Sequence, residues 1–135
     1  MSTTTIYRQL DANADQKAVS VDTTLTTSDS GKTILLDAVG EAILLPAPAA
    51  GLHYKFLVTA AVATTSWTVA ATGALIYGSV TEAGLVQLAS AETTITIVFT
   101  KSIQGDWFTL ESDGTNWYVA GQFSVASLSK VNQSP

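Results

Sequence analysis

Residues 105–121 read GDWFTLESDGTNWYVAG, with Trp107 and Trp117 on either side of an Asp113-Gly114 pair. Asp-Gly between alternating apolar residues signals a tight hairpin, because a type I′ turn needs positive φ at both central positions. A two-residue loop sets Ser112 opposite Thr115, Leu110 opposite Trp117 and Phe108 opposite Val119. Directly opposed residues point to the same side of a sheet, so Phe108, Leu110, Trp117 and Val119 make one apolar face. The other face carries Trp107 opposite Ala120, Thr109 opposite Tyr118 and Glu111 opposite Asn116. A two-stranded hairpin alone is marginal, so its apolar face must pack on further strands. Trp117 is therefore assigned to the core. Trp107 and Tyr118 point outward, which leaves them either half-buried framework or contact residues, since aromatics are enriched at interfaces.

The rest of the chain supplies those strands. SVDTTLT (20–26), KTILLD (32–37), EAILLP (41–46), HYKFLVTAA (53–61), SWTVAA (66–71), ALIYGSV (74–80), LVQLA (85–89) and TTITIVF (93–99) are short runs separated by turn signals such as PAPAAG (46–51). Phe56 and Val58 share one face of their run, Trp67 and Val69 share one face of theirs, and Ile95, Ile97 and Phe99 alternate with threonine and valine. A period of two with β-branched residues argues for strands rather than helices. The expected fold is all-β: a single antiparallel β-sandwich, jelly-roll-like, with an extended N-terminal arm. Its expected parts are an arm over residues 1–20, a β domain over 21–123 and a tail over 124–135. The segment LDANADQKA (10–18) carries a weak helical pattern, and no exact internal repeat of solenoid length occurs. Phe56, Val58, Ile95, Ile97, Phe99, Phe108, Leu110, Trp117 and Val119 are the expected core.

At 135 residues the chain is one domain long. Charged residues make up 13%, about half the usual share, while hydrophobic residues reach 47%. A surface so poor in charge suits a protein covered by copies of itself or by another protein. The net charge is −5 and the six basic residues are scattered singly, which argues against nucleic acid, whose phosphates call for clustered Lys and Arg. With no cysteine there is neither disulfide nor thiolate chemistry. The start MSTTTIYRQLDANADQK lacks the apolar core of a secretory signal, and no apolar run is long enough to span a bilayer as a helix, so no membrane partner is expected.

No catalytic set emerges. DSGKT (29–33) resembles the end of a phosphate-binding loop, but Thr26 stands where that motif needs its first glycine, and ILLD reads as a strand rather than a helix. His53 is the only histidine, so neither a histidine metal cluster nor a serine triad with a GxSxG elbow is supported. The eleven carboxylates are dispersed, and the DGTN segment lacks the spaced oxygens of a calcium loop. No enzyme activity, metal or cofactor is expected.

LTTSDSGKTILLDAVGEAILLPAPAAGLHYKFLV (25–58), taken with the 105–121 hairpin, resembles small structural proteins of tailed-bacteriophage virions over residues 25–123. Capsid decoration proteins and head or tail fibre modules both carry such segments. The resemblance implies a β-sandwich, commonly a homotrimer, that binds a symmetric lattice. It therefore implies a capsid decoration (cement) protein on the virion surface, with itself and the major capsid protein as partners. In that role the arm residues Ile6, Tyr7, Arg8 and Leu10 order on a neighbouring subunit. The competing expectation is a fibre or tail-associated receptor- or carbohydrate-binding module, with Trp67, Trp107 and Tyr118 as stacking platforms.

Overall fold

The computed structural model describes residues 15–37, 40–60, 65–97, 103–124 and 130–131. The expected arm contacts Ile6, Tyr7, Arg8 and Leu10 and the expected core residue Phe99 lie outside them. The described chain is built of strands. In order they are β1 (Gln16–Val19), β2 (Thr23–Thr24), β3 (Thr33–Leu36), β4 (Ala42–Leu44), β5 (His53–Val58) and β6 (Trp67–Ala70). Then come β7 (Ile76–Glu82), β8 (Leu85–Glu92), β9 (Thr94–Ile97), β10 (Trp107–Ser112), β11 (Trp117–Phe123) and β12 (Lys130–Val131). A 3₁₀ turn, Thr27–Asp29, leads into β3. The fold is all-β in two sheets: seven strands in the order β1-β3-β5-β10-β11-β7-β8 and five in the order β12-β9-β6-β4-β2. Residues 16–19 of the expected arm are thus a strand of the larger sheet, so residues 16–18 of the segment with a weak helical pattern are extended.

Contrary to the antiparallel arrangement expected from the sequence, five of the ten strand pairings among the described residues are parallel. The reason is in the connections. From β1 to β6 the chain alternates between the two sheets, so each strand returns beside the previous strand of its own sheet in the same direction. Parallel neighbours need such a crossover rather than a hairpin. Gln16, Thr33 and Lys55 stand side by side in one sheet, and Thr23, Ile43 and Val69 in the other. The steps between these partners are unequal in length, which is why a winding path leaves no sequence repeat.

Inward side chains from both sheets form one apolar cluster, including Ile34, Phe56, Val58, Phe108, Leu110, Trp117 and Val119 from the larger sheet and Ile43, Val69, Ile95 and Ile97 from the smaller. Phe56 and Phe108 are cross-strand partners whose rings stack at 4.6 Å, and Phe108 continues to Phe123 at 6.1 Å. Trp117 packs on Tyr54 at 5.9 Å, and the buried Tyr54 hydroxyl donates to the Thr26 carbonyl at 2.8 Å. Burial and the nearby Asp29 charge push the Tyr54 phenol up to about 12.

The 105–121 hairpin is real but its loop is longer than expected. Ser112 pairs with Trp117, Leu110 with Val119 and Phe108 with Gly121, so the loop holds Asp113–Asn116 rather than Asp113-Gly114 alone. A type I′ turn would need positive φ at Asp113, whereas among these loop residues only Gly114 has it, at 100°. The Asp113 carboxylate instead accepts from the backbone N–H groups of Thr115 at 2.8 Å and Asn116 at 2.9 Å. This side-chain-closed loop competes with the tighter turn. The Asn116 side-chain carbonyl accepts from the Leu75 N–H at 3.1 Å, holding the loop against the start of β7. The register moves by two residues, an even number, so every side chain keeps the face expected of it.

Candidate interaction surface

The outward side chains of β5, β10, β11 and β7 form the broad outer face of the larger sheet. Their cross-strand pairing sets three ladders. Leu57, Trp107, Gln122 and Thr81 make one, Lys55, Thr109, Ala120 and Ser79 the next, and His53, Glu111, Tyr118 and Tyr77 the third. Only Lys55 and Glu111 among these twelve carry a formal charge with histidine neutral. Strand spacing of about 4.8 Å makes the whole seven-stranded face roughly 30 Å wide.

Two aromatic features stand on this face. The Lys55 ammonium sits 5.4 Å from the centroid of the half-buried Trp107 ring, a cation–π contact. Tyr118, 43% exposed, stacks on Tyr77 at 6.2 Å and donates its hydroxyl to Asp113 at 2.9 Å. The N–H groups of Asn116 and Thr115, with the Tyr118 hydroxyl, hold the Asp113 carboxyl below its ordinary range, and that same hydroxyl bond raises the Tyr118 phenol. Trp67 is not part of the surface. It is fully buried on β6, on the same face as Val69 and opposite Ile97, so its expected role as a contact aromatic is corrected to core. The shared face of Trp67 and Val69, once Val69 is inside, carries Trp67 inside with it.

The edge of the sheet offers a second feature. β7 and β8 join through Ala83-Gly84, whose φ values of 52° and 83° with Glu82 opposite Leu85 make the two-residue positive-φ turn expected of Asp113-Gly114. Beyond it Leu85, Val86 and Leu88 are 70%, 62% and 67% exposed on the last strand of the sheet. Sequence reasoning marked LVQLA as a strand without singling out these residues. Their signal was three large apolar side chains within four positions, which alternation cannot bury on one face.

Two further polar residues, His53 and Asp106, bond to the backbone around them. His53 is exposed, with its ring Nδ1 donating to the Gly51 carbonyl at 3.1 Å. Buried Asp106 accepts from the Ile103 N–H and from the Ser124 N–H and hydroxyl at 2.9–3.1 Å, tying the open end of the β10–β11 pair. Among the described residues no group of three or more His, Cys, Asp or Glu side chains is placed to hold a metal, and no helix is long and apolar enough to cross a membrane. No family model, curated protein or solved structure matches the chain.

Proposed function

We propose that this chain is a non-enzymatic structural protein of a tailed-bacteriophage virion, a capsid decoration protein that binds the outside of the head and bridges neighbouring copies of the major capsid protein. The observation that carries the reading is the outer face of the larger sheet: wide and nearly uncharged, with Trp107, Tyr118 and Tyr77 exposed or half-buried on it. A face roughly 30 Å by 20 Å approaches the ~800 Å² per partner of a stable protein contact. The two sheets are read as the layers of a β-sandwich, the architecture that the resemblance over residues 25–123 implies. That resemblance also implies a homotrimer. Joined copies bound to a repeating lattice gain effective concentration without stronger individual contacts, which suits a protein that reinforces a shell against internal pressure. The arm residues Ile6, Tyr7, Arg8 and Leu10 add a further attachment to a neighbouring subunit.

Sedimentation of the purified chain with heads that lack it tests the reading. Binding should saturate at a copy number set by the lattice, raise the temperature at which heads release DNA, and weaken in Trp107→Ala and in a chain without residues 1–14. Heads that neither bind the chain nor gain stability would refute the proposal. A second reading, a fibre or tail-associated carbohydrate-binding module, is favoured by the Tyr77–Tyr118 stack and Trp107, which share one face two ladders apart. It requires glycans to quench tryptophan fluorescence, and a flat titration across a glycan panel would remove it.

A further inference from the structure

The β7–β8 hairpin ends the larger sheet: among the described residues no strand is hydrogen-bonded to the outer edge of β8. Val80 pairs with Gln87 and Glu82 with Leu85, so Leu85 and Gln87 lie on the core side of the sheet while Val86 and Leu88 lie on the outer side. A flat partner laid on one face would cover only one of these sets, whereas a strand added in the plane of the sheet meets both. Natural edges are guarded by lysine, proline, inward charges or bulges. Residues 83–91, AGLVQLASA, contain no charge and no proline. The one irregularity of the β7–β8 ladder, between Ile76 and Tyr77, lies at the far end from the turn. β12 also approaches β8, yet Leu85, Val86 and Leu88 all remain more than 60% exposed.

We propose that β8 is a self-association strand that pairs antiparallel with β8 of a second copy, about a twofold axis through Gln87. Two features select a second copy as the occupant. First, the strand is its own complement around Gln87: Val86 meets Leu88 of the other copy on the outer side, and Leu85 meets Ala89 on the core side, each contact occurring twice. Second, residues 83–91 carry no charge, so pairing two copies here sets no like charges of the −5 chain directly against each other. The paired sheets then present two outer faces side by side. The unit is a dimer, in place of the trimer that the resemblance implies, and the inference does not depend on the capsid reading.

The chain has no cysteine, so Gln87→Cys reports only contact between copies. Directly opposed strand residues have Cα atoms about 4.5–5.5 Å apart, within disulfide range. Mild oxidation should link Gln87→Cys into a covalent dimer, while Ser20→Cys, exposed just beyond β1 at the opposite edge, stays unlinked. Light scattering should give twice the 14.1 kDa chain mass. Leu88→Lys, at a site open to solvent in the single copy, should keep the circular dichroism spectrum and weaken the dimer on the order of 100-fold or more, because in each of the two equivalent contacts an unpaired ammonium group is set against Val86 of the other copy. A wild-type mass of one chain or of three, or a dimer that Leu88→Lys leaves intact, would overturn the pairing. Head binding is scored separately: a monomer that still decorates heads sinks this inference alone, and a dimer that ignores heads sinks only the capsid reading.

Discussion

Asp29→Asn probes the point where the winding half of the chain is tied together. The Asp29 side chain is 6% exposed in the 3₁₀ turn before β3. Its Oδ2 accepts from the Thr26 N–H at 3.0 Å, the Thr26 hydroxyl at 3.2 Å and the Lys17 ammonium at 3.2 Å, and its Oδ1 accepts from Lys32 at 3.2 Å. One carboxylate thus joins β1, the turn and the approach to β3. Burial raises its pKa, but the Thr26 N–H and the two lysines outweigh burial and bring it from 3.8 down to about 2. A carboxyl with a depressed folded pKa stabilises the protein above its unfolded pKa, and that stability is lost as pH falls from about 4 to 2. At about 1.36 kcal/mol per unit the shift is worth about 2 kcal/mol at neutral pH, and the partly exposed lysines make this a ceiling. Asparagine keeps the shape and an acceptor for Thr26 but loses the charge. Urea unfolding at pH 7 should show Asp29→Asn less stable by about 1–2 kcal/mol, and the gap should close as pH is lowered to 2. A gap of the same size at both ends of the titration, or none at pH 7, would refute the linkage.

Two further outcomes follow from the packing. A Cβ on Gly121 would lie 2.5 Å from both the Phe108 Cβ and the Trp107 carbonyl oxygen, and neither can swing aside. Gly121→Ala should therefore lower the unfolding free energy by about 1–3 kcal/mol, seen as a lower urea midpoint at unchanged slope; an unaltered midpoint would count against the observed hairpin register. Trp67 and Trp117 are fully buried and Trp107 is half-buried under Lys55, so one of the three tryptophans should be open to acrylamide. Trp107→Phe should remove most of the quenchable emission; strong quenching that persists in this variant would contradict the inward placement of the other two.

Side-chain alternation made the sorting of residues readable in advance. Phe56, Val58, Ile95, Ile97, Phe108, Leu110, Trp117 and Val119 are all buried, and Tyr118 is exposed, as their positions along each strand imply. Facing depends only on whether a position is odd or even within its strand, and an even slip in register preserves it. This is why the hairpin faces were right although its loop holds four residues instead of two. Strand direction and neighbour choice are non-local. β1 lies beside β3, and β11 beside β7 in parallel, because chain segments cross between sheets, and no local pattern separates that path from a series of hairpins. The same holds for the surface. Composition announced a shortage of charge, but only the assembled sheets decided where it matters: Trp67 went inside with Val69, while β8 became an edge and left Leu85, Val86 and Leu88 in solvent. A strand's two faces are written in its own residues, whereas its edges are defined by which strands stand beside it.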